Sequence, residues 1–236
     1  MIPQAIGFFG WKRPEIAKKT LTALARCPGI ENWPLVAFLD AGYAPETLSA
    51  VSAWQASELL STNIAFTKLG CSGNLTRGIM FLFENCSERF IVLEDDCYPA
   101  EDFIQYMEGY LNHLQEADQR ILSVASYRPT WHRQKHGLVM PEYETTPGFH
   151  CWGWGTWKSR MGHFHNALLP VLGDSNDNSW DTRLNRYAAG NGMTCLIPRL
   201  CRCLNIGTQD WTHTAGEDLR KEEWSGTEEP TSIRLP

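Results

Sequence analysis

Short apolar runs alternate with segments of helical period along the first half of the chain. Ala5-Ile6-Gly7-Phe8-Phe9 reads as a buried strand, followed by a loop over residues 10–14. Residues 15–26 set Ile16, Leu21 and Leu24 among Lys and Ala, a helical spacing that Pro28-Gly29 ends. Leu35-Val36-Ala37-Phe38-Leu39 predicts a second strand, closed by Asp40-Ala41-Gly42. Residues 45–55 predict a helix with proline in its first turn. Ile64-Ala65-Phe66 predicts the third strand. Residues 74–85 predict a helix with Ile79, Leu82 and Phe83 on one side. Residues 90–93, 100–114 and 121–125 continue as strand, helix and strand.

Repeated alternation of strand and helix is the pattern of a doubly wound α/β layer. The strands are continuous apolar runs without alternation, which suits a sheet covered on both faces. Ligands of such sheets sit at the carboxyl ends of the strands. Polar residues gather at three of those ends: Trp11-Lys12-Arg13, Asp40 and Glu94-Asp95-Asp96. After residue 126 the pattern changes. Residues 127–149 form a polar, proline-containing stretch without a clear period, as substrate loops and lids often do. Residues 180–189 predict a helix, and 193–197 a strand stopped by Pro198. With no repeat or linker, the chain reads as one domain. Residues 1–125 form its nucleotide half, 126–214 a more irregular acceptor half, and 215–236 a loose tail.

The 236 residues are 43% hydrophobic and 20% charged, enough for a sizeable core. The formal net charge is -6, which argues against nonspecific nucleic-acid binding. The 8 Cys are scattered, and Cys201 and Cys203 are too close for a C-x-x-C pair, so a structural zinc site is not expected. The residues before the first strand lack the basic and apolar regions of a signal peptide. Reduced thiols in a cytoplasmic protein are therefore expected, with peripheral contact at a membrane left open. No apolar run approaches the ~20 residues a membrane span needs.

Glu94-Asp95-Asp96 carries the strongest chemical signal. Ionised carboxylates are costly to bury without partners, so a triplet at a strand tip is not there for packing. Hard oxygen ligands suit Mn2+ or Mg2+, and such an ion would hold a diphosphate. Strand alternation puts Glu94 and Asp96 on one face and Asp95 on the other. A plain cap on the following helix is the structural alternative.

The segment LGCSGNLTRGIMFLFENCSERFIVLEDDCYPAEDF, residues 69–103, resembles a family of bacterial sugar transferases with the GT-A fold. FHCWGWGTW, residues 149–157, resembles their Trp- and Gly-rich acceptor segment. Residues 178–191, Pro198, Asn205-Ile206-Gly207 and Thr212-His213-Thr214 resemble the closing motifs. The block order is also similar to inverting N-acetylglucosaminyltransferase I. The resemblance implies an α/β GT-A fold, a Rossmann-like, doubly wound mixed sheet with an irregular C-terminal acceptor-binding half. It implies transfer of a sugar from a UDP- or GDP-linked donor to a glycan or lipid-linked acceptor, with inversion. Arg13, Asp40, Arg77, Glu94 and Asp95 would bind the donor, and Asp96 the metal. His213 matches a weaker, late metal or pyrophosphate contact. Trp152, Gly153 and Trp154 would face the acceptor. Asp181 would be the base that takes the acceptor's proton. A nucleotidyltransferase, which usually has a Gly-rich basic loop after the first strand, is the alternative enzyme. A catalytically inactive carbohydrate-binding relative is the non-enzymatic one.

Overall fold

The computed structural model describes residues 1–114, 118–128, 143–169 and 179–207. The first half runs β1 (Ile2–Gly10), α1 (Pro14–Leu24), β2 (Leu35–Leu39), α2 (Pro45–Ser52), β3 (Leu59–Ile64) and α3 (Gly70–Asn85). β4 (Cys86–Glu94), β5 (Cys97–Pro99), α4 (Phe103–His113) and β6 (Ile121–Ala125) follow. The second half adds β7 (Tyr143–Pro147), β8 (Trp154–Trp157), α5 (Met161–Leu168), α6 (Trp180–Gly190), β9 (Thr194–Pro198) and β10 (Cys203–Asn205).

Eight strands form one mixed sheet in the order β3-β2-β1-β4-β8-β6-β9-β7. β3, β2, β1 and β4 run parallel, as do β6 and β9. β8 lies antiparallel between β4 and β6, and β7 is antiparallel to β9. β10 and β5 form a small separate ribbon.

Both faces of the sheet are buried, and alternate residues of one strand serve opposite cores. Ile6, Phe8, Ile91 and Leu93 pack with Leu21 and Leu24 of α1 and Phe103, Met107 and Leu111 of α4. Phe9, Phe38, Phe90 and Val92 pack with Ile79, Leu82 and Phe83 of α3, Phe164 of α5 and Trp180 and Leu184 of α6. This double covering is why the strand sequences show no polar alternation. The chain thus has the doubly wound α/β architecture that its pattern predicts.

The third strand falls earlier than expected, over Leu59–Ile64 rather than 64–66. It is a half-buried edge strand, so Ser61, Thr62 and Asn63 are tolerated and the apolar signal is weak. Phe66 lies beyond it, fully exposed. β8 is a larger surprise, because FHCWGWGTW reads as a ligand segment. Gly155 lets β8 in: a Cβ there would come within 2.9 Å of Leu111 and 3.2 Å of the Phe90 carbonyl. α3 needs a similar opening at Gly78, where a Cβ would lie 2.3 Å from the Phe9 ring. Gly78→Ala will therefore destabilise the fold by about 1–3 kcal/mol through overpacking. Chemical denaturation checks this; an unchanged midpoint would show that α3 can slide.

All eight cysteines carry free thiols. Among the described residues no helix is long and apolar enough to cross a membrane.

Candidate active site

The carboxyl ends of β1, β2 and β4, parallel neighbours, lie side by side. β1 and β4 are in register up to Phe9 and Glu94, and the Asp95 N–H continues the ladder to the Phe9 carbonyl at 2.8 Å. The chain then leaves the strand and breaks the expected alternation. Asp95 and Asp96 both turn onto Arg13, whose Nη1 donates to Asp96 Oδ2 at 2.8 Å while Nη2 pairs with Asp95. The Trp11 N–H also donates to Asp95, at 3.3 Å, and the Thr20 hydroxyl to its carbonyl at 2.7 Å. Burial lifts the Asp95 carboxyl to about 6, with Arg13 pulling it back down. Burial also works against the Arg13 charge, but the two aspartates outweigh it and hold the guanidinium firmly protonated.

Glu94, half-buried, points elsewhere. Its carboxyl is raised well above the ordinary range, first by burial and then by Asp96, Asp95 and Asp181. Asp181 arrives from far along the sequence, in the first turn of α6. That turn is seated by aromatic packing: Trp180 lies 6.0 Å from Trp154 and 5.7 Å from Phe149 between ring centroids. The Trp180 N–H donates to the Ser72 hydroxyl at 3.1 Å, tying α6 to the first turn of α3. Two thiols, neither indicated by local sequence, flank the acids. Cys151 reaches Asp181 at 3.7 Å and Cys71 reaches Glu94 at 4.0 Å. Burial and the neighbouring carboxylates push both thiols up, so they stay protonated rather than becoming nucleophilic thiolates.

The structure thus brings Arg13, Glu94, Asp95, Asp96 and Asp181 together. Asp40 lies at the next strand end, and its carboxylate is engaged by main chain. It accepts the N–H groups of Ala41 at 2.8 Å, Leu69 at 2.8 Å and Gly70 at 2.9 Å, and so pins the start of α3. Arg77 bonds the Asn63 carbonyl at 3.2 Å and the Asn74 side chain at 2.9 Å, beside the same strand ends. Trp11, absent from the sequence-predicted set, donates its indole N–H to the Ala41 carbonyl at 3.0 Å. The ammonium groups of Lys12 and Lys68 each sit 4.6 Å from its ring centroid.

Trp154 is fully buried and stacked on Phe164, whereas Trp152 is half-buried against Tyr127. Gly153 is also buried, with φ +61° and Ser126 Oγ 2.6 Å from where a Cβ would be, so close backbone packing excludes a side chain. His213 lies outside the described residues. Gly207 closes the other side of the acids. A Cβ there would lie 2.4 Å from Asp96 Oδ2 and 2.7 Å from Arg13 Nη1. The Ile206 N–H, donating to the Asp96 carbonyl at 2.8 Å, holds this segment down.

Among the described residues, no group of three or more His, Cys, Asp or Glu is arranged to cage a metal. The donors nevertheless fit a hard divalent ion. Asp95 and Asp96 hold one guanidinium, with Glu94 and Asp181 close by, and among the described residues Asp96 Oδ1 is met by the Cys97 thiol, at 3.8 Å. One carboxylate is enough where substrate phosphates supply other ligands.

Solved structures share this architecture. A mannosyltransferase of Pyrobaculum calidifontis, in complex with GDP-Man and Mn2+, matches with a TM-score of 0.56 and 14% identity over 89% of this chain. TarS 1–349 of S. aureus matches at 0.57 and 10% over 85%, and GalNAc-T7 with UDP, GalNAc and Mn2+ at 0.59 and 9% over 84%. The fold is that of the GT-A glycosyltransferases. This GT-A chain spans 58%, 59% and 42% of those three chains, respectively. No family model matches it, and no curated protein does.

Proposed function

We propose that this GT-A protein is a metal-dependent, inverting glycosyltransferase. It would move a sugar from a UDP- or GDP-linked donor to a hydroxyl of a glycan or lipid-linked acceptor. The convergence of Asp181 with Glu94, Asp95, Asp96 and Arg13 at the carboxyl ends of the strands carries this reading. Asp181, partly exposed at the head of α6, takes the proton of the acceptor hydroxyl as its oxygen attacks the anomeric carbon. The nucleoside diphosphate leaves from the opposite side, so no protein nucleophile is needed. Arg13 can pair with the diphosphate through its forked N–H donors. Mn2+ or Mg2+ held by Asp96, with His213 as a second candidate, would stabilise the charge on the leaving diphosphate. Glu94 would hydrogen-bond a sugar hydroxyl of the donor. Asp95 anchors Arg13. Trp11 and Arg77 flank the nucleoside side of the site, and Asp40 shapes it by fixing Leu69 and Gly70.

Trp152 and the backbone at Gly153 serve the acceptor side, with Trp154 supporting them from the core. Residues 1–125 supply the donor half and 126–214 the acceptor half. Work on a glycan or lipid-linked acceptor suits a cytoplasmic protein placed peripherally at a membrane.

A thermal-shift screen of UDP, GDP and their sugars, with and without Mn2+, tests this. One base, together with the metal, will raise stability by about 2.7 kcal/mol at a hundredfold excess over Kd. No response to any nucleotide would refute the reading.

A further inference from the structure

We propose that Arg13 is a displaceable internal counter-ion. It occupies Asp96 until a diphosphate draws the guanidinium away, so that metal and donor enter the site together. The inference rests on the glycosyltransferase reading and deepens it.

Three observations carry it. First, Asp96 Oδ2 is engaged by Arg13 Nη1 at 2.8 Å. A divalent cation approaching Asp96 alone meets a fixed positive charge. Second, Arg13 is held at two points of unequal depth. Its side chain is 28% exposed, Asp96 13% and Asp95 4%. The deep contact with Asp95 is a pivot about which Nη1 can swing from the shallower Asp96. Third, main chain roofs the ion pair. Gly207 sits where a Cβ would touch both Asp96 Oδ2 and Arg13 Nη1. That leaves little space beside Asp96 for a second cation while Arg13 stays.

A diphosphate changes the balance. It offers the guanidinium a bidentate, doubly charged partner on the open side of the site. Once Nη1 turns to phosphate, Asp96 is released to the metal, which shares the same phosphates. Each ligand therefore strengthens the other, by the same factor in both directions.

The test is Mn2+ binding without donor, read by the electron paramagnetic resonance of free Mn2+, in wild type, Arg13→Ala and Arg13→Lys. The same titrations are repeated with UDP and with GDP. Wild type will bind Mn2+ alone weakly and far better with nucleotide. Arg13→Ala will bind Mn2+ alone roughly tenfold more tightly and lose most of the nucleotide enhancement. Arg13→Lys keeps a charge for buried Asp95, so its fold is secure. Its single ammonium cannot bridge both aspartates, and it will move in the same direction by less. A merely structural role for Arg13 would not raise metal affinity. If neither variant binds Mn2+ alone more tightly while wild type still shows enhancement, the counter-ion idea is overturned and the enzyme reading stands. If wild type shows no enhancement with either nucleotide, both fall.

Discussion

Asp181→Asn will lower sugar transfer by about 10²- to 10⁴-fold and leave donor binding nearly intact. The amide keeps the shape of the side chain but cannot accept the acceptor's proton. Its neighbours predict little collateral damage. Asp181 is partly exposed, its only described side-chain contact is the long one from Cys151, and α6 is anchored through Trp180 rather than through it. The amide also removes one negative charge acting on Glu94, which relieves repulsion in the acid cluster. Turnover with a labelled donor, beside nucleotide binding by calorimetry, separates chemistry from affinity. Transfer at the wild-type rate would assign the base to another residue.

Asp96→Ala is expected to be at least as severe. Stabilising the leaving diphosphate with a metal is worth several kcal/mol, so its loss corresponds to roughly 10³-fold or more in rate. The same substitution will remove the Mn2+ dependence of nucleotide binding, since the nearest hard ligand is gone. The fold will persist, because Arg13 keeps its contact with Asp95 and the ladder from Asp95 to Phe9 is main chain. Full activity in this variant, or in wild type with excess chelator, would show that no metal acts at Asp96.

Much of the sheet was legible because apolar runs and helical periods are local signals. Residues 121–125 formed a strand as read, and α1, α2 and α6 lay within a few residues of their expected bounds. The failures have a common cause. β3 borrows its order from β2 and faces solvent at the edge, so its own residues need not be apolar. β8 is four residues of Trp, Gly and Thr whose strand form depends on pairing with partners distant in sequence and on the missing side chain of Gly155. The acidic triplet was visible because charge at the end of an apolar strand demands a reason. Its surroundings were not. Cys71, Ser72, Cys151 and Gly207 lie in segments that the resemblance covers, but only the folded chain shows that they touch the acids or the residues beside them. Likewise, the shared grip of Arg13 on Asp95 and Asp96 arises because the backbone turns after Glu94, which strand alternation does not foresee.

The position of β8 has a consequence for how the chain could be divided. Its neighbours on both sides, β4 and β6, belong to the first 125 residues, yet they do not pair with each other. A fragment ending near residue 126 would carry one unfilled slot in mid-sheet, between β4 and β6, and a raw, sticky rim along β4. Neither piece would hold the sheet alone, and only reassociation of the two fragments would restore the fold.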